Sequence, residues 1–171
     1  DNTSESGQDA IKLRLKEELH LVPYIKGGIT FACAIQGARN PEDVVAVKRG
    51  DAINTSEHQA VRMILTAMRF DPEIRCVAMV RHTESFLDVC ESMILEIGSF
   101  DRCREPPGIS TIDWGVAFCC EAIGGVPDII YDRGCREKEP LIRIFGEEPG
   151  NVSARLNRII TRIINTTFTE E

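Results

Sequence analysis

Apolar side chains recur every three or four positions in several long stretches, with short β-rich runs between them. Ile11, Leu15, Leu19 and Val22, set among Lys and Glu, predict a packing helix over 9–22 that Pro23 and the Gly27-Gly28 pair stop. Residues 29–35 are β-rich and lead through Gly37 to Asn40-Pro41-Glu42-Asp43. There an Asn cap, a Pro at the first helical position and two acids predict one helical turn. Val61, Ile64, Leu65 and Met68 form one stripe of a helix over 56–70, capped by Thr55 or Ser56 and ended by Asp71-Pro72. Residues 74–81 read as a strand. Residues 85–97 read as a helix with Phe86, Val89, Cys90, Met93 and Ile97 inward, closed by Gly98. After an irregular charged loop over 99–108, Ser110-Thr111-Ile112-Asp113 resembles a capping box, and Trp114, Ala117, Cys120 and Ile123 face the core of the helix it opens. Residues 128–132 and 141–145 read as strands with a connection between them too short for a helical crossover, which predicts an antiparallel pair and hence a mixed sheet. A last helix over 152–164 buries Val152, Leu156, Ile159, Ile160 and Ile163. Strands alternating with one-sided helices give an α/β domain with helices on both faces of one sheet.

At 171 residues this is one domain's length, and 43% hydrophobic with 27% charged residues is an ordinary globular composition. No apolar run reaches the roughly 20 residues of a membrane span. The polar start, residues 1–8, reads as a disordered remnant or linker ahead of a single domain over 9–165, with 166–171 as a tail. Since the chain opens at Asp1 without Met, a partner domain is expected upstream. A net charge of -7 argues against a duplex-binding surface, so no direct nucleic-acid contact is expected and any anionic ligand must meet a local arginine cluster. The seven cysteines are odd in number, contain no C-x-x-C pair and fall mostly in apolar stretches; they read as reduced core residues of a cytoplasmic protein.

Three segments are rich in groups that bind anions. The first is Thr55-Ser56-Glu57-His58, where a helix N-terminus meets an imidazole. The second is the loop with Asp101, Arg102 and Arg104, stiffened by Pro106-Pro107. The third is Asp132-Arg133-Gly134, followed by Arg136, Lys138, Glu139 and Arg143. Guanidinium forks match phosphate oxygens two at a time, and internal salt bridging with Asp101, Glu105, Asp132 and Glu139 is the equal alternative. No HExxH, Walker loop, GxGxxG or metal-ligand spacing is present, and His20, His58 and His82 form no ligand pair.

Four ordered motifs, SFDRCREP at 99–106, STIDWG at 110–115, PDIIYDRG at 127–134 and KEPLIRIFG at 138–146, closely resemble the archaeal ThiN-type thiamine-phosphate synthase domain. The stretch SEHQAVRMILTAMRFDPEIR at 56–75 looks like that family's central helix, with His58 at the position of its histidine. The resemblance runs from about Tyr24 to Ile164. It implies a three-layer α/β/α fold with a mixed, largely antiparallel sheet, like the class II aldolases (AraD-like), and a homodimer with its site near the subunit interface. It also implies a reaction: hydroxymethylpyrimidine diphosphate and hydroxyethylthiazole phosphate give thiamine phosphate and pyrophosphate, with Mg²⁺ a possible companion of the pyrophosphate and no other cofactor. Such a displacement needs the leaving diphosphate neutralised and the two rings positioned. Arg102, Arg104, Arg133 and Lys138 are the expected phosphate clamp, supported by Ser56, Asp101, Ser110, Thr111, Asp132 and Glu139. His58 is the expected acid, a role suited to imidazole near neutral pH. Arg49 stands for an arginine that the family carries ahead of the histidine, in a segment that is shorter here, and Glu137 stands where the family usually has Gly before Lys-Glu-Pro. Related domains also occur fused to pyrimidine kinases, or behind helix-turn-helix segments where they sense thiamine phosphates without turnover. That sensing role is the alternative function.

Overall fold

Strand alternation sorts the apolar residues onto two faces. In the computed structural model, which describes residues 2–108 and 110–169, the strands are β1 (Ile29–Ala34), β2 (Val44–Arg49), β3 (Cys76–Arg81), β4 (Ile97–Ser99), β5 (Ile129–Tyr131) and β6 (Leu141–Gly146). They form one sheet in the order β2-β1-β3-β6-β5-β4. Every pairing is antiparallel except β4 with β5, so the sheet is mixed and largely antiparallel, and β5–β6 pair as their short connection requires.

The helices are α1 (Asn2–His20), α2 (Ser56–Phe70), α3 (Glu84–Ser92), α4 (Trp114–Ile123) and α5 (Pro149–Thr169). Phe31, Ala78, Val80, Ile142 and Ile144 face one way and pack with Leu15 and Leu19 of α1, Phe86 and Leu87 of α3, and Val152 and Leu156 of α5. Ala32, Ala34, Val77, Met79 and Phe145 face the other way, against Met63, Ile64 and Ala67 of α2 and Val116 and Cys120 of α4. The result is the expected three-layer α/β/α arrangement.

Several boundaries depart from the sequence reading. The run Val44-Val45-Ala46-Val47 is a full edge strand paired along β1, where only a helical turn is expected; the turn is confined to Pro41–Asp43. Asp43 closes the start of that turn, its carboxylate accepting the backbone N–H groups of Arg39 and Asn40 at 3.1 Å each, and Val44 is already extended. Residues 2–8 lie in α1 rather than in a linker, and α5 continues past 165 to Thr169; Asp1 and residues 170–171 of the expected segments fall outside the described residues. Helix α3 ends at Ser92, which frees Ile97 for β4, and α4 is capped by Asp113 rather than Ser110, its carboxylate accepting Val116 N at 3.0 Å.

The cysteine reading needs correction. Cys33 and Cys76 face each other on β1 and β3 and are joined, with 4.2 Å between their Cα atoms, and Cys103 is joined to Cys135 across 5.4 Å. The partners lie 43 and 32 positions apart, so strand register and loop docking bring them together, and spacing along the chain does not reveal it. Cys90, Cys119 and Cys120 are free and buried, as expected.

Register also sets where the motifs meet. Ser99 pairs with Tyr131, Tyr131 with Ile142, Leu141 with Arg81, and Val80 with Ile29. The end of β3, the ends of β4 and β5, and the starts of β1 and β6 therefore share one edge of the sheet. That edge carries the SFDRCREP, PDIIYDRG and KEPLIRIFG loops. Thr30, at the start of β1, donates to Ser56 Oγ at 2.7 Å and so brings the N-terminus of α2 to the same edge.

Candidate functional site

At this edge a buried carboxylate organises the loops. Asp132, immediately after β5, pairs through Oδ2 with Arg143 Nη2 at 3.0 Å and with Arg102 Nη1 at 3.2 Å, while Oδ1 accepts Gly134 N at 2.8 Å. Arg143 is 2% exposed, and its guanidinium lies 4.9 Å from the centroid of the Phe100 ring. Phe100 fills the space beside Gly115, where a Cβ would stand 2.2 Å from the ring, so only glycine lets α4 start so close. Glu105 holds Arg102 Nε at 3.4 Å and Lys138 Nζ at 3.7 Å. With the Cys103–Cys135 bond, these pairs tie the second and third anion-rich loops into one unit.

The same pairs decide what the expected phosphate clamp does. Arg102 and Lys138 are matched to Asp132 and Glu105, Arg133 to Glu84 at 3.3 Å, and Glu139 to Arg81 at 3.1 Å. Internal salt bridging thus describes these residues. Glu84 also meets His82 Nε2 at 3.2 Å; that contact first, then Arg133, holds the Glu84 carboxyl below its ordinary range, and Glu84 in turn raises Arg133. Arg104 is exposed and meets no carboxylate among the described residues. Asp101 is occupied in accepting Cys103 N at 2.9 Å. Ser56 is buried against Thr30.

Arg49 is held by backbone carbonyls. Its guanidinium donates to the carbonyls of Leu19 and Val22 at 2.7 and 2.9 Å and of Pro23 at 2.8 Å. It caps the C-terminal end of α1, where the last carbonyls lack helical partners and the dipole favours a cation.

A cavity of about 800 Å³ runs along the outer side of α2, beneath the loop after β1 and the segment ahead of α4. His58, Ser110 and Thr111 of the predicted set line it, together with Arg39, Arg62 and Arg69, which sequence reasoning missed. A signal was present: His58, Arg62 and Arg69 recur at i, i+4 and i+11 and so share a helical face. Val61, Leu65 and Met68 make an adjoining apolar strip. Among the described residues no Asp or Glu lines the cavity, although the chain as a whole is acidic. Arg62 Nη1 donates to Ser110 O at 3.3 Å and Nη2 stands 4.0 Å from Asp113 Oδ2. Asp113 N in turn donates to Thr66 Oγ1 at 2.9 Å, so α2 fixes the STIDWG segment over the cavity. Phosphate-bearing ligands with a flat, weakly polar body fit such a wall: permanent cations for the anion, an apolar strip for the ring, and an imidazole at the positive end of a helix.

Among the described residues no group of three or more His, Cys, Asp or Glu side chains is placed to hold a metal ion, and no helix is long and apolar enough to cross a membrane. The free thiols are not nucleophiles. Burial pushes Cys90 and Cys120 up to about 12 and Cys119 to about 11, far from the thiolate form.

Comparison with known proteins bears on this geometry. Residues 50–158 match the sequence model of thiamine-phosphate synthase ThiN. The chain is 42% identical over 111 residues to the bifunctional thiamine biosynthesis protein ThiDN of Methanocaldococcus jannaschii, a match spanning 65% of this chain and 26% of that protein. It is 30% identical over 160 residues to thiamine-phosphate synthase ThiN of Methanothermobacter thermautotrophicus, covering 83% of each. Its fold superposes on the crystal structure of the C-terminal domain of protein MJ0236 with a TM-score of 0.78 and 30% identity, over 94% of this chain and 98% of that one. A wider likeness, of fold alone, reaches Escherichia coli YgbL, a proposed aldolase/epimerase/decarboxylase, with a TM-score of 0.53 and 11% identity over 97% of this chain and 90% of that one.

Proposed function

Because the chain belongs to the thiamine-phosphate synthase ThiN family, we propose that it joins hydroxymethylpyrimidine diphosphate to hydroxyethylthiazole phosphate, releasing thiamine phosphate and pyrophosphate. The observation that carries the reading is the acid-free cavity beside His58, whose wall combines three arginines with an apolar strip inside a protein of net charge -7.

In the proposed reaction the thiazole nitrogen forms a bond to the pyrimidine methylene carbon as the bond from that carbon to the diphosphate oxygen breaks. The electron pair leaves with the diphosphate, and the nitrogen becomes cationic. His58 stands at the first turn of α2, where an imidazole and the helix dipole meet the charge that develops on the departing oxygens. Arg62 holds the Ser110 carbonyl and so keeps the hydroxyls of Ser110 and Thr111 at the same end. Any Mg²⁺ would enter with the diphosphate as part of the substrate, since the wall offers no carboxylate to hold it as a resident ion. Arg104, exposed on the loop ahead of Ser110, meets no carboxylate among the described residues and so can reach a phosphate without first leaving one.

The reading includes a cytoplasmic homodimer, supported by the family and by the outward apolar side chains Phe118 and Ile123 on α4. An upstream kinase or helix-turn-helix domain belongs to the reading as well; a solved C-terminal domain of a phosphomethylpyrimidine kinase, which superposes on this chain with a TM-score of 0.70 and 27% identity, supports the first.

The deciding experiment supplies both precursors to the purified protein and follows pyrophosphate release. The wild type is expected to turn over, and His58→Ala to lose about 10²- to 10⁴-fold in kcat, the usual contribution of a positioned acid. Tight calorimetric binding of thiamine phosphate with no release would mark the sensing role instead. Neither binding nor release by folded protein would end both readings.

A further inference from the structure

We propose that the two substrates lie end to end along α2, with the phosphate of the thiazole substrate on Arg39 and Arg69 and the leaving diphosphate at His58. This rests on the synthase reading and adds the orientation and two specificity-determining residues.

Charge is distributed unevenly along the cavity. Arg39, on the loop after β1, and Arg69, in the last turn of α2, both line it, and neither guanidinium meets a carboxylate among the described residues. His58 lines it about three helical turns away, roughly 16 Å at about 1.5 Å per residue. Between the two ends lie Val61, Leu65 and Met68, with Arg62 one turn from His58 and engaged with Ser110 O and Asp113. A wall with the Arg39–Arg69 pair at one end, Arg62 and the N-terminus of α2 toward the other, and an apolar strip between them does not suit a ligand with one phosphate alone. It suits two substrates meeting ring to ring, because the new carbon–nitrogen bond then lies in the middle, with the diphosphate on one side and the thiazole's phosphate on the other.

The two ends also differ in kind, which fixes the direction. Guanidinium groups are permanently charged, so Arg39 and Arg69 hold an anion equally well before and during the reaction. Such uniform binding serves the phosphate that takes no part in bond breaking. The other end supplies a titratable imidazole and the positive pole of α2, groups whose effect grows as charge builds on a leaving oxygen. At the far pole the helix dipole is negative; Arg69 offsets it, and a leaving diphosphate would gain nothing from it.

Steady-state kinetics with each substrate varied in turn tests the orientation on Arg39→Gln, Arg69→Gln and the double variant. Both residues are exposed, and circular dichroism checks that the variants fold. The double variant is expected to raise KM for the thiazole phosphate by about tenfold or more, as loss of a charge-assisted contact implies, with KM for the pyrimidine diphosphate changed less than about twofold. The unphosphorylated thiazole alcohol should no longer distinguish the variant from the wild type. A rise in KM for the diphosphate instead, or no change in either, overturns the orientation while leaving the synthase reading intact. If the wild type shows no turnover, the synthase reading fails by itself, and calorimetry with thiamine phosphate tests the arginine pair. Affinity should then drop about tenfold in the double variant. Unchanged affinity, or no binding by the wild type, overturns the assignment.

Discussion

Glu137 holds a backbone conformation that glycine accepts freely. Its φ of 65° lies in the left-handed region, where an L side chain is crowded by its own carbonyl at about 1–2 kcal/mol. It sits in the two-residue turn closed by the reciprocal backbone bonds between Cys135 and Lys138. This is also the position where the resembling family usually carries Gly, so the departure in sequence coincides with an unfavourable dihedral angle. Replacing Glu137 by Gly removes the crowding but gives the unfolded chain more freedom, worth up to about 1 kcal/mol. Glu137→Gly is therefore expected to stabilise the protein modestly, by about 0.5–1 kcal/mol in urea unfolding. Gly134, three residues earlier, should behave oppositely. Its φ is 76° and a Cβ there would stand 2.7 Å from the Lys138 carbonyl, so Gly134→Ala should destabilise. Equal midpoints for the two variants would contradict both assignments.

At the scale of elements, the hairpin after β5 and the loop after β4 gain from being one unit. The Cys103–Cys135 bond closes a loop of 32 positions in the unfolded chain, for which the chain-entropy relation gives about 3–4 kcal/mol. Cys135→Ser is expected to lose about that much in urea unfolding under oxidising conditions, and the gap between variant and wild type should close once that bond is reduced. A variant as stable as the oxidised wild type would show that the ion pairs around Asp132 and Glu105 alone hold the two loops. The same elements show which information the sequence contains. Helix α2 and its apolar stripe were readable because periodicity identifies residues that share a face. Periodicity does not say whether that face is covered: Val61 and Leu65 are half-buried along the cavity, Met68 borders both cavity and core, and Ala60, Met63 and Ala67 fill the core. The edge strand β2 escaped because the Asn-Pro-Glu-Asp cap before it is a strong local helix signal, while pairing with β1 is decided across space. The partners of Arg49 are hidden for a related reason, as the carbonyls it satisfies lie about 30 positions earlier, at the end of α1. Arg39 joins Arg69 only through the fold. By contrast, SFDRCREP, PDIIYDRG and KEPLIRIFG are legible as contiguous motifs, and strand register gathers them at one edge.

For the molecule as a whole, the free thiols set a limit on stability at alkaline pH. Cys90, Cys119 and Cys120 lie in the two cores on either side of the sheet, so ionising any of them would place a charge among apolar side chains. Burial holds them at about 11 to 12, whereas an unfolded chain releases the same protons near 9. The unfolded state thus gains from deprotonation over a range in which the folded state does not. Their contribution to stability is fully present below about pH 9 and is lost progressively as pH climbs toward the folded values. Because both cores share the central sheet, the loss should be felt by the entire domain in one transition rather than by one layer first. Urea midpoints followed from neutral pH upward by circular dichroism and by Trp114 fluorescence should fall together in the wild type. In Cys119→Ala/Cys120→Ala the starting midpoint is lower because atoms are removed from the core, but its decline with pH should be shallower, since two of the three groups that drive it are gone. Parallel declines in the two proteins would assign the alkaline loss to other groups, and separated transitions in the two probes would show that the layers on either side of the sheet unfold independently.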